Sequence, residues 1–311
     1  MLLVVGESAS VARVEAVRAV PGRVGKTRWQ AQATRFAWKA ALNLLAWAGT
    51  VFFLAPFLWM VSSSLKSDFD IRAVPPQWIP RHPMWHNYIN ALLGRWPFPH
   101  YALNTTFITV TATAGTVLAA SLVAYSFARL RWRGRDTWFI ILLSTMMLPG
   151  QVTLVPVYYL FSVLGWVNTW APLIVPSFFG GGAFNIFLAR QYFMTITTEM
   201  DDAARIDGCS FFNIYWRIIL PMSKPILATI AIFSFFGHWN DFFGPLIYIS
   251  SKDKFTLALA LYQYRAIQER SYGQMNYLMA ASVAMMMPCL ITYFLAQKLF
   301  IQGIVLTGVK G

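Results

Sequence analysis

Six apolar segments constrain this chain more than any other feature, because each is long enough to cross a bilayer: residues 40–61, 101–127, 137–159, 170–189, 226–249 and 278–299. A spanning helix needs about 20 mainly apolar residues, since the hydrocarbon core is about 30 Å thick. Inside that core every backbone N–H and C=O must be satisfied internally, which leaves helices as the form for such runs. Charged residues make up only 12% of the chain, against about 25% in an average soluble domain. The expected fold is all-α: a polytopic membrane protein with six transmembrane helices.

Orientation follows from the basic residues, because loops on the cytoplasmic side are enriched in Lys and Arg. With the N-terminus inside, seven lie before the first span and four between Arg129 and Arg135. Another four lie between Arg190 and Lys224, and Lys298 and Lys310 complete the inner set at 17 of 25. Both termini are therefore expected in the cytoplasm. The net charge of +13 follows from topology and contact with anionic membrane lipid. It does not point to nucleic acid, because the basic residues flank spans instead of lining one face with stacking aromatics.

Chemistry within the chain is sparse. Residues 1–38 read as a basic, poorly ordered cytoplasmic extension with no cleaved signal. Within it, Gly22-Arg23-Val24-Gly25-Lys26-Thr27 resembles the end of a phosphate-binding loop. That motif requires Gly five residues before Gly25, where this chain has Val20. Cys209 and Cys289 fall on opposite sides of the predicted membrane, which argues against a disulfide or a two-thiolate metal site. His82 and His86 have helical spacing, but Pro83 between them indicates a solvated loop. There is neither a nucleophile elbow nor a facing pair of carboxylates. The chain is not expected to be an enzyme or to hold a metal.

The polar insert at about 198–225 carries the clearest local signals. Thr198 followed by Asp201 is a carboxylate form of the capping box. Glu199, Asp201 and Asp202 place negative charge in a first helical turn, where the dipole favours it. Gly208 suits the left-handed residue that ends a helix, and Ser210 suits the cap of the next. The prediction is a helix, a sharp turn and a second helix along the inner face of the membrane. Ala203 and Ala204 would let a partner approach closely, while Arg205 and Asp207 offer charges to fix register.

These residues resemble the signature loop of ATP-binding-cassette importer permeases. Asp202-Ala203-Ala204 stands where the family usually has Glu-Ala-Ala. Gly208 follows, and after nine more residues comes Ile218-Ile219-Leu220-Pro221. The shorter Asp202 keeps the charge of the usual Glu. Ala203 to Ser210 is similar to the carbohydrate-uptake branch, particularly its six-span maltose-type subunits, and so are Trp239-Asn240-Asp241-Phe242 and the end of the chain, Gly303 to Gly311.

The resemblance implies a permease domain over 39–302 and a cytoplasmic tail over 303–311, in a bacterial or archaeal inner membrane. It implies a coupling helix formed by Glu199, Asp202, Ala203, Ala204, Arg205, Asp207 and Gly208, with Leu220 and Pro221 closing the motif. Gly308, Lys310 and Gly311 in the tail would reach toward the ATPase. Its partners would be a second, homologous permease subunit, two copies of a cytoplasmic ATP-binding-cassette ATPase and an extracytoplasmic solute-binding protein. ATP and magnesium would belong to the ATPase, with no cofactor on this chain. The implied solute is a sugar or oligosaccharide, with a polyol or glycerol phosphate as the alternative.

Asp241 with Asn240 marks a polar site within the fifth span, where an acidic residue usually faces protein or water. A structural role, with Asp241 bonded to Asn240 or His238, stands beside a proton-coupled secondary transporter that would use it directly. Gly180-Gly181-Gly182 in the fourth span either unwinds a helix beside a cavity or permits close packing. Trp138, Trp166 and Trp170 fall where interfacial aromatic belts are expected, and no residue is singled out as touching the solute.

Overall fold

The computed structural model describes residues 28–94, 97–271 and 274–308. Its regular elements there are helices. In chain order they are α1 (Arg28–Ser64), α2 (Asp68–Ile71), α3 (His86–Leu93), α4 (Phe98–Arg129), α5 (Arg135–Ser144), α6 (Gly150–Val163), α7 (Ala171–Ile174) and α8 (Ala183–Phe193). There follow α9 (Glu199–Ile206), α10 (Phe211–Ile214), α11 (Leu220–Met222), α12 (Lys224–Trp239), α13 (Phe243–Tyr248), α14 (Leu257–Ser271) and α15 (Met275–Gly308). Among the described residues four helices are long and apolar enough to span a membrane, or six if each of two bent pairs counts as one span. The chain divides into two compact units after Leu58.

The first unit contains most of α1, whose apolar side chains, such as Trp47, Phe52 and Phe53, are exposed. The predicted extension is shortened by this helix. It starts at Arg28, ten residues before the expected boundary, while residues 1–27, with the loop-like Gly22–Thr27, lie outside the described residues.

In the second unit α4 is the central helix, with α8 and α12 packed along it. The physical reason is a row of small residues: Ala112, Ala120 and Ala124 are fully buried, and Gly115 and Thr116 lie between them. Small side chains let backbones approach closely where lipid supplies no hydrophobic drive between helices. Gly181 extends this contact, because a Cβ on it would lie 2.6 Å from the Ala120 backbone nitrogen. Gly180, Gly181 and Gly182 all have positive φ and separate a short 3-10 turn from α8. The glycine run therefore breaks the helix and permits close packing together.

Two more predicted spans are interrupted. The segment expected at 137–159 bends by 100° between the α5 end and α6. Pro149 is the cause: it disfavours helical backbone at the residue before it, and Leu148 is extended with ψ 117°. The segment expected at 226–249 ends its long helix at Trp239 and resumes as α13 only at Phe243. Before it, Phe211–Met222 meets α12 at 80°. Helix α15 runs on past residue 303 as far as Gly308, while Lys310 and Gly311 of the expected tail lie outside the described residues. His86 begins α3 instead of lying in a loop.

Candidate functional site

Helix α9 forms where the insert predicts it, with Glu199, Asp201 and Asp202 in its first turn and Arg205 in its last. These charges suit the dipole at each end. The predicted cap does not form. Thr198 is itself in helical conformation, φ −74° and ψ −20°, and its side chain makes no cap bond. Its carbonyl instead accepts from Asp201 N and Asp202 N, both at 3.0 Å.

The far end of α9 has the geometry expected of its glycine. Gly208 has φ +81°. Cys209 N donates to Ala204 O at 2.9 Å and Gly208 N donates to Arg205 O at 3.0 Å, the paired bonds of a Schellman turn. Ser210 then caps α10 by accepting from Asn213 N at 3.3 Å. The second helix is not uniform: α10 passes through a π-helical turn, Tyr215–Ile219, before α11.

The result is one exposed polar face on a buried root. Glu199, Asp202, Ala203, Arg205, Asp207 and Gly208 are exposed, as is Ile206 at 87%. Pro221 is exposed and Leu220 half-buried. Ala204 departs from the expectation that both alanines face a partner. It is buried against this chain's own core with Tyr125, Phe193 and Ile214, so its small size seats α9 on the bundle. The Arg205 guanidinium lies 5.0 Å from the centre of the Phe211 ring, bracing the turn between the two helices.

Three residues of α4 hold this unit, and sequence reasoning had not assigned them that role. Ser121 and Tyr215 share a hydroxyl hydrogen bond of 2.8 Å. Tyr125 donates its hydroxyl to Phe211 O at 3.1 Å. Arg129 donates to Ile196 O at 2.7 Å and pairs with Asp201 at 3.4 Å. Their four-residue spacing puts all three on one face of α4. That spacing is visible in the sequence, but Arg129 reads there as one more inner-face charge. Burial raises the Asp201 carboxyl above its ordinary value against the pull of Arg129, with nearby Asp202 raising it further and Arg205 opposing. Desolvation therefore outweighs the ion pair, as is common for buried pairs.

Asp241 and Asn240 lie in the break between α12 and α13. Asp241 Oδ1 accepts from Gly244 N at 3.0 Å, the bond of a helix cap, in place of the side-chain bond expected with Asn240 or His238. Asn240 bonds to Phe236 O at 3.0 Å and to Cys289 Sγ at 3.8 Å, and beside it Trp239 donates to Met285 O at 3.0 Å.

Comparison with known proteins joins these features to a family. Residues 112–305 match the family described as the inner membrane component of binding-protein-dependent transport systems. This chain belongs to that family. The matched region begins within α4 and includes α9 and its root. A probable ABC transporter permease protein of Bacillus subtilis, YurM, is 33% identical over 82% of this chain and 83% of its own. The arabinooligosaccharides transport system permease protein AraQ of Halalkalibacterium halodurans is 35% identical over 67% of this chain and 73% of its own. Among solved structures, a chain of a bacterial ABC transporter involved in import of the acidic polysaccharide alginate aligns with a TM-score of 0.75 at 23% identity, covering 85% of this chain and 97% of that one. The fold is that of an ABC importer permease, and the chain is a multi-pass membrane protein.

Proposed function

We propose that this chain is one of two permease subunits of an ATP-driven importer for a sugar or oligosaccharide. The observation that carries this reading is α9: a helix with a negatively charged first turn, exposed on one face and tied on the other to the central helix. Such an element presents a rigid docking surface and a direct route into the bundle. A cytoplasmic ATPase dimer binds ATP and magnesium and receives α9 in a cleft through Glu199, Asp202, Arg205 and Asp207. ATPase closure then moves α9, and α4 with it, between inward-facing and outward-facing arrangements. This chain and its homologous partner enclose the path, and an extracytoplasmic binding protein delivers the solute. Both termini face the cytoplasm, and the tail through Lys310 reaches the ATPase.

The family description supports the binding-protein partner. The carbohydrate assignment is supported by the arabinooligosaccharide relative. Asp241 has a structural role in this reading, as the cap of α13. The direct test is purification of the tagged chain from its native membrane in mild detergent, with mass spectrometry of what accompanies it. Recovery of an ATPase and a second permease supports the importer, and the binding protein identifies the solute. A lone chain that drives uptake in vesicles without ATP refutes it.

A further inference from the structure

The contact between Arg129 and Asp201 is incomplete in a specific way. Its side chains are only 3% and 15% exposed, yet only one guanidinium nitrogen, Nη1, reaches the carboxylate, at 3.4 Å. Arg129 Nε, a donor, and Asp201 Oδ1, an acceptor, are both buried without a hydrogen-bond partner. Each is what the other lacks. Guanidinium and carboxylate are shaped for two parallel bonds, and the one-point contact uses half of that capacity. Nε shares its edge of the guanidinium with Nη2, which here donates to Ile196 O at 2.7 Å, so the two-bond pairing forms when that edge turns to Asp201 and Nη2 leaves the carbonyl.

We propose that Arg129 is the positioning residue that couples α9 to the bundle, exchanging the one-point pairing with Asp201 seen here for a two-bond pairing as the transporter changes state. The proposal rests on the importer reading given above. The other two ties, Ser121 with Tyr215 and Tyr125 with Phe211, satisfy their groups already and serve as fixed anchors. The Arg129 contact has two arrangements available to it, which is the physical requirement for a two-state element. A buried pair whose desolvation outweighs its attraction contributes little to stability, so its presence at this contact fits a role in switching.

The test is Arg129→Lys in the assembled transporter in proteoliposomes, with Thr106→Val, at an exposed position of α4 outside these ties, as the control. Lysine keeps the charge but has no planar fork. The expected result is unchanged recovery of the ATPase, a melting temperature in detergent close to wild type, and a fall of about tenfold in solute imported per ATP hydrolysed, within the usual range of coupling. Thr106→Val should leave that ratio near wild type. An unchanged ratio in Arg129→Lys overturns the proposal. So does a loss of uptake that only accompanies loss of assembly and melting temperature, because Arg129 is then a simple anchor. Failure of the wild-type chain to recover an ATPase refutes the importer reading itself, and the proposal with it.

Discussion

Replacing Gly208 tests whether the geometry of the turn after α9 matters for coupling. Its φ of +81° lies in the left-handed region, and a Cβ built there has nothing within 4 Å. The penalty for a larger residue is therefore conformational, not steric crowding, at about 1–2 kcal/mol for an ordinary L-residue. Opposing it are the two bonds of the Schellman turn, from Gly208 N and Cys209 N, each contributing about 0.5–1.5 kcal/mol. The two amounts are comparable, so Gly208→Val should depopulate the turn without unfolding the bundle. A cost of 1–2 kcal/mol corresponds to a shift of about 5- to 30-fold in the local equilibrium. Solute imported per ATP hydrolysed in proteoliposomes should fall several-fold, while membrane insertion and detergent melting temperature stay near wild type. Gly208→Asn is the discriminating variant, since Asn accepts left-handed backbone, and it should retain most of the ratio. Equal ratios for the valine variant and wild type, or equal losses for valine and asparagine, would refute the reasoning.

Other consequences follow from separate elements. Gly181→Ala puts a Cβ against the Ala120 and Thr116 backbone at a φ of +64°, and should cost about 2 kcal/mol or more, read as a lowered melting temperature; Gly182→Ala, with no contact closer than 3.6 Å, should cost less. Asp241→Asn preserves an acceptor for Gly244 N and should retain uptake, whereas Asp241→Ala should lose about 0.5–2 kcal/mol of local stability; an inactive but well-folded asparagine variant would restore the proton-coupled reading. The raised Asp201 carboxyl has its stabilising contribution in full below its unfolded value near 3.8, and loses it as pH rises through the higher folded value. The melting temperature of wild type relative to Asp201→Asn should therefore fall between pH 4 and neutrality, and a rise would contradict the burial argument. Ser210→Ala removes the acceptor for Asn213 N and should destabilise the start of α10 by about 1 kcal/mol, measured as faster amide exchange in that turn.

What was legible in the sequence was what depends on neighbours along the chain. Apolar run length located the spanning helices, the acidic turn located α9, and the glycine at 208 located its end. Thr198 was misread because a Thr three residues before an acid caps a helix only if its own backbone is extended, and here that backbone is helical. The bend at Leu148-Pro149 was missed because hydropathy stays high through the backbone break, and the break at Asn240–Phe242 was missed because two polar residues do not by themselves end an apolar run. The extent of α1 was underestimated because good helix formers such as Gln30, Ala31 and Gln32 continue before the apolar stretch. The ties from α4 depend on tertiary packing, which no local pattern reveals.

Ala204 and Arg129 show why an unaided motif was an incomplete guide to the site. The signature suggests a surface to be grasped, and the exposed Glu199, Asp202 and Asp207 fit that description. Yet a surface grasped by a partner transmits motion only if it is fixed to what must move. Ala204 provides a close seat and Arg129 a charged tie, each on the hidden side of α9. The two faces have opposite requirements. The outer face needs solvated charges that can exchange partners at small cost. The inner face needs buried groups whose rearrangement is costly enough to define states, so in the importer proposed above coupling would lie as much in α4 as in the loop.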